Sequence, residues 1–283
     1  MIILFLGLIG ICLGSFVNAL VWRLHEQDEL RSKKPKDLKK QLSKLSISKG
    51  RSMCPHCKHQ LHGKDLVPVL SWLSLGGKCR YCKKPISAQY PAVELLAGLL
   101  FVVSYVAWPY NLESVADIAA FGVWCLLLIG FLAHVVYDLR WYILLDKITL
   151  PLSVLGVLFV ATVAFAQKDA SIVVGSAVGA ACIFGIFYGL FQLSGGKWIG
   201  GGDVKLAPLL GLLAGGLMES MLLLFVASTL GTLYAVAYAA VHKQKLHGTT
   251  AIPFGPFLIA ACVIVVLFGG GIMSWYTDLL IVS

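Results

Sequence analysis

Charged side chains are scarce in this 283-residue sequence: Asp, Glu, Lys and Arg make up 13% of it, against 58% hydrophobic residues. With a mean hydropathy of +0.84, that shortage excludes an ordinary soluble domain. Acids are scarcer than bases, 14 against 23. No G-x-G-x-x-G follows a strand-like segment, so a Rossmann-type nucleotide site is not visible. The first apolar run has neither a basic n-region before it nor a small-residue cleavage site after it. It therefore reads as a retained helix and not as a signal peptide.

What fills the chain instead is a series of apolar runs. Stretches long enough to cross a bilayer occur at about 1–22, 91–108, 117–137, 148–166, 170–193, 219–241 and 252–275. A shorter run at 204–218 spans only with local thinning or help from its neighbours. Counting it gives an all-α polytopic membrane protein of about eight transmembrane helices. Sixteen of the 23 basic residues fall in 23–84, and Arg140, Lys147, Lys197, Lys205, Lys243 and Lys245 flank loops on the same side; Lys168 alone lies opposite. By the positive-inside bias, residues 23–90 face the cytoplasm and both termini face outward. The basic loop is then explained by the anionic cytoplasmic leaflet, and no nucleic-acid partner is expected.

Within that loop stand Cys54-Pro55-His56-Cys57 and Cys79-Arg80-Tyr81-Cys82. Two C-x-x-C pairs at this spacing match a four-thiolate structural zinc site, each pair forming a tight knuckle. A reducing compartment disfavours disulfides, and a redox C-x-x-C has no need of a second copy. His56, His59 and His62 lie nearby, but four cysteines already complete a tetrahedron. Such a metal folds a loop too small for a core of its own. The isolated Cys12, Cys125, Cys182 and Cys262 read as small buried hydrophobes.

The stretch from Ser194 to Lys205 carries five glycines and ends on Gly200-Gly201-Gly202-Asp203-Val204-Lys205. Glycine-rich backbone at the mouth of a helix bundle can approach a bound chain closely, and an acid at the edge of hydrocarbon is costly and calls for a partner. Asp138, which closes the run 117–137, is the matching acid. Two carboxylates a few Å apart share one proton, so one can take a proton from water while the other protonates a leaving amine. Paired intramembrane acids also serve proton relays. The glycine loop favours a protease, since cleavage needs an extended substrate strand.

Other positions have plainer readings. Gly14, Ser15 and Asn18 share one helical face, which serves helix packing or lines a groove. Leu38, Leu42 and Leu45 mark a short amphipathic helix on the membrane surface, unless 26–50 is a disordered tether. Glu94, near the start of the 91–108 helix, complements the helix N-terminus or lines the active cleft. His134 packs, and Asp146 pairs with Lys147 or caps the next helix.

In this order the motifs resemble the bifunctional type IV prepilin peptidases, of the GxGD class of membrane aspartyl proteases. The resemblance covers nearly the whole chain. It includes Gly14-Ser15-Phe16-Val17-Asn18 with Arg23, the two C-x-x-C motifs, Asp65 to Leu73, and Tyr90 to Leu96. Asp138 and Gly200 to Leu206 complete it. It implies Asp138 and Asp203 as catalytic, with Gly200, Gly202, Lys205 and Glu94 as substrate or loop residues. It also implies cleavage of the basic leader of prepilins and pseudopilins at the cytoplasmic face of the bacterial inner membrane. Methylation of the new N-terminus with S-adenosylmethionine follows from the resemblance alone. The 26–50 stretch is longer than is usual in the family. The expected division is a first helix, 1–22; a cytoplasmic loop with the zinc module, 23–90; and a helix bundle with the protease site, 91–283. The competing classes are a proton-coupled transporter with a zinc-bound cytoplasmic module, and a non-catalytic assembly scaffold.

Overall fold

The computed structural model describes residues 1–47, 49–242 and 253–282. The described residues are helical with no strand beyond two isolated bridges, and they form two compact units, 1–106 and 107–283. Seven helices are long and apolar enough to cross a membrane, so the chain is a multi-pass membrane protein. Lys243 and Lys245, counted in the charge asymmetry, lie outside the described residues.

In the first unit, α1 (Ile2–Lys33) runs well past the expected end at 22. Its polar extension is made of good helix formers, and helical hydrogen bonds do not need hydrocarbon around them. It stops at Lys34, which is left-handed, just before Pro35. Then α2 (Leu38–Lys44) folds back on α1. The expected short helix is thus present, with Leu38 and Leu42 half-buried and Leu45 buried, so 38–45 is not a disordered tether. The buried Arg23 guanidinium fixes this turn by donating to the carbonyls of Ser46, Ile47 and Gly50 at 3.0–3.1 Å. A short helix, α3 (Leu70–Ser74), follows the first knuckle, and α4 (Gln89–Val106) packs along α1. That packing is close because Gly14 lies against the backbone of Glu94, where a Cβ would stand 2.8 Å from the Glu94 Cα. Asn18 ties the two helices through Tyr90 O at 3.0 Å. The Gly14 face thus serves packing and, at Ser15 and Asn18, also lines a cavity.

The second unit contains α5 (Val115–Trp141), α6 (Asp146–Gln167), α7 (Ser171–Ser194), α8 (Gly201–Ala214), α9 (Leu217–His242) and α10 (Gly255–Val282). A Ser114–Asp117 capping box starts α5, the most buried of the seven long helices. The short run expected at 204–218 is α8, whose 14 residues reach about 21 Å, less than the hydrocarbon thickness. It packs along α7, where Gly211 and Gly179 leave no room for a Cβ on either backbone. Cys125 and Cys262 are buried as expected; Cys12 is exposed and Cys182 half-buried, because they sit on outward helix faces.

Candidate functional site

Asp138 lies in the last turn of α5, where Tyr142 adopts a left-handed conformation and donates its N–H to Asp138 O at 2.8 Å. The chain therefore turns just beyond the acid. Asp203 lies in the first turn of α8, whose N-cap is Gly200. The positive end of a helix favours a carboxylate there, and Asp203 interacts with the Gly200 N–H. Both acids line one cavity of about 370 Å³, with Gly200, Gly201 and Gly202 in its wall. The charge of Asp138 acts on Asp203. The two acids chosen from sequence are thus brought together.

Three contacts hold this constellation. Gly202 packs on Leu144, so that a Cβ would stand 2.9 Å from Leu144 Cβ. Gly255, the first residue of α10, faces Asp138, and a Cβ there would lie 2.7 Å from Oδ2. One turn before Asp138, the buried His134 Nε2 lies 2.9 Å from Thr149 Oγ1, which itself donates to Leu145 O. His134 is therefore hydrogen-bonded to Thr149 and pins α5 to α6. Sequence reasoning missed Gly255, Phe254 and Leu144. The only signal was Pro253-Phe254-Gly255-Pro256, which reads as a helix-start punctuation without naming its neighbour.

Lys205 reaches Asp146 in the first turn of α6, with Nζ 2.9 and 2.8 Å from its two oxygens. Asp146 therefore has a remote cation besides any local role. Both side chains are more than half exposed, and such pairs contribute little. Lys205→Ala should change thermal stability by less than about 1 kcal/mol, checked by thermal unfolding of the purified protein.

Glu94 lies in the first unit, buried in α4, where its carboxylate accepts the N–H of Val69 at 2.7 Å. It lines a second cavity, together with Asn18 and Trp72.

The same unit holds Cys54, Cys57, Cys79 and Cys82 with all four sulfurs within 4.8 Å of one another. Cys54 Sγ and Cys82 Sγ are 3.9 Å apart, close to the edge of about 3.8 Å of a tetrahedron with thiolate–zinc bonds of about 2.3 Å. The two knuckles repeat each other bond for bond. Lys58 N donates to Cys54 O and Lys83 N to Cys79 O, while both lysines take positive φ. Bridges Met53–Gln60 and Lys78–Pro85 close the two loops. In each, the backbone N–H groups two and three residues on are aimed at the first sulfur. At Cys54 burial outweighs them and pushes the thiol up to about 12. At Cys79 burial also opposes ionisation, but the N–H groups of Cys82 and Tyr81 together with the side-chain hydrogen bonds from Cys54 and Cys82 hold the thiol at about 7. Asp65 clamps the second knuckle through Arg80 Nε at 2.6 Å and Tyr81 Oη at 2.9 Å. This four-cysteine cluster is built to hold a metal ion.

Residues 8–108 match the model of the bacterial peptidase A24 N-terminal domain, and 124–236 that of the type IV leader peptidase family. The prepilin leader peptidase/N-methyltransferase of Stutzerimonas stutzeri is 33% identical over 275 residues, 95% of this chain and 91% of that protein. That of Aeromonas hydrophila is 33% identical over 276 residues, with the same shares. The type 4 prepilin-like proteins leader peptide-processing enzyme of Escherichia coli O78:H11 is 34% identical over 259 residues, 88% of this chain and 87% of that protein. No solved structure matches. With both family models in chain order and such relatives along nearly its full length, the chain belongs to the type IV leader peptidase family.

Proposed function

We propose that this chain is a membrane aspartyl endopeptidase that removes the basic leader of type IV prepilins or pseudopilins and then N-methylates the new terminus. The observation that carries the reading is the meeting of Asp138 and Asp203 in one cavity whose wall is glycine backbone. One carboxylate, ionised, takes a proton from water as the oxygen attacks the scissile carbonyl. The other, protonated, delivers its proton to the leaving amine as the C–N bond breaks. Gly200 to Gly202 expose peptide groups to an extended substrate strand, which a helical stem provides only after unwinding locally. A proton relay would place its acids near mid-span; here one closes α5 and the other opens α8. The concentration of basic residues in 23–84, with Arg140, Lys197 and Lys205 near the two acids in the chain, supports a site at the cytoplasmic face of the inner membrane.

The four cysteines hold structural zinc, which organises the loop and takes no part in hydrolysis. S-adenosylmethionine, when bound, supplies an electrophilic methyl group to the amine freed by cleavage.

The test is full-length protein in lipid nanodiscs with a prepilin peptide, read by mass spectrometry. One cut just before the apolar stem is expected, and an uncut peptide would sink the reading. Cleavage should depend more on the residue before the scissile bond than on leader charge, because leader and cytoplasmic loop are both basic. Gly255→Ala should lower the cleavage rate about 10²-fold, since the added methyl displaces the Asp138 carboxylate. The measurement is the rate at matched protein content; an unchanged rate would remove Asp138 from the reaction.

A further inference from the structure

Among the described residues, no Lys, Arg or His side chain pairs with Asp138 or Asp203; Asp203 is met instead by the backbone N–H of Gly200. The separation of the two acids is therefore set by the backbone that carries them. Asp138 closes α5, Asp203 opens α8, and α10 packs on both helices. Leu144, in the turn between α5 and α6, lies where these ends converge. Its Cβ, Cγ and Cδ1 stand 2.9, 3.5 and 3.4 Å from the position that a Cβ on Gly202 would take. Its Cδ2 and Cδ1 stand 3.4 and 3.5 Å from the corresponding position on Gly255. Gly202 adjoins Asp203 in the chain, and Gly255 covers Asp138 Oδ2. Leu144 thus fills the gap between the backbone beside one acid and the backbone beside the other.

The turn that presents Leu144 is tied at both ends. At its start, Tyr142 donates its N–H to Asp138 O. At its end, Leu145 O accepts the N–H groups of Ile148 and Thr149 at 2.9 and 3.0 Å, and the Thr149 hydroxyl at 3.1 Å. The same hydroxyl is hydrogen-bonded to His134, which is 1% exposed and lies one turn before Asp138 on α5. Separating two buried polar groups in an apolar bundle is costly, so the pair holds this register. The stretch from Asp138 to Thr149 is then a closed frame with Leu144 inside it.

We propose that Leu144 is the positioning residue of the acid pair. It wedges Gly202 and Gly255 at the spacing at which Asp138 and Asp203 act on one water, and the His134–Thr149 bond fixes the turn from which it projects. Leu144 acts through the backbone of the acids, so it governs the chemical step and not the affinity for peptide. The proposal rests on the peptidase reading given above.

Cleavage of a prepilin peptide by the full-length protein in nanodiscs, followed over a range of peptide concentrations, tests it. Leu144→Ala should lower kcat about 10²-fold and leave KM within about twofold of wild type. Leu144→Met, which keeps the volume, should retain kcat within about threefold. Thr149→Ala should lower kcat as Leu144→Ala does, and Thr149→Ser, which restores the hydroxyl, should recover it. Gly202→Ala alone should lower kcat, and adding Leu144→Gly, which removes the atoms that the new methyl meets, should recover at least tenfold of that loss. Such recovery does not arise from loosening of the bundle, since each change alone is damaging. An unchanged kcat in Leu144→Ala overturns the proposal and leaves the peptidase reading standing. A raised KM at unchanged kcat makes Leu144 a substrate contact and overturns it equally, as does a double variant no better than Gly202→Ala. No cleavage by the wild type overturns the peptidase reading, and this proposal with it.

Discussion

Asp138→Asn and Asp203→Asn will each lower prepilin cleavage by roughly 10³-fold or more. Asparagine keeps the shape of the side chain but can neither take a proton from water nor deliver one to an amine. Both acids sit on one cavity, so the double variant should be no worse than either single one, as expected for groups acting as a unit. Asp146→Asn is the control. That residue is bound to the exposed Lys205 and lies outside the cavity, and its replacement should leave the rate within a few-fold of wild type. The measurement is single-turnover processing of a prepilin in nanodiscs, with helicity checked by circular dichroism. Processing that survives in either single variant would refute the dyad.

The second large effect concerns the cysteines. Cys54→Ser removes one of four sulfurs that lie within 4.8 Å of one another, and structural zinc in small modules contributes about 10–16 kcal/mol of apparent binding. The variant should lose most of its metal, and the loop from Ser52 to Ile86 should become protease-sensitive. The readouts are zinc per chain by atomic absorption and the site of limited proteolysis. One ion held by all four sulfurs would tie the two knuckles to each other. Cys79→Ser should therefore expose the first knuckle as fully as the second. Retained stoichiometric zinc would mean that the ligand set is wrong.

Much of this molecule can be read without coordinates, for reasons that differ from element to element. The seven long helices are announced by apolar runs of bilayer length. The four-cysteine cluster is announced by cysteine spacing, because a knuckle is closed by hydrogen bonds within five residues. Both are local properties. The first helix was misjudged at its end for a related reason: hydropathy marks where hydrocarbon stops, whereas hydrogen bonding carried α1 on to Lys33. The fold-back of Leu45 on α1 was hidden in the same way, since a leucine stripe does not say whether lipid or protein covers it.

Glu94 gives the sharpest contrast. Its sequence context allowed a cap or an active-cleft residue, yet it is buried in the first unit, holding Val69 and facing a cavity of its own. Gly255 gave no warning of its place beside Asp138, because the two positions are remote in the chain and only the packing of α10 on α5 brings them together.

The amino-acid sequence by itself determined the membrane class, the number of long helices, the four-cysteine module and which two acids to look for. Each follows from a length, a spacing or a residue type contained in one segment. Only the tertiary structure decided which helix ends meet. Lipid solvates every apolar face about equally, so neighbours are chosen by close packing at small residues such as Gly14, Gly179 and Gly211 across remote segments. That choice brings Asp138, Asp203 and Gly255 to one cavity and Glu94 to another.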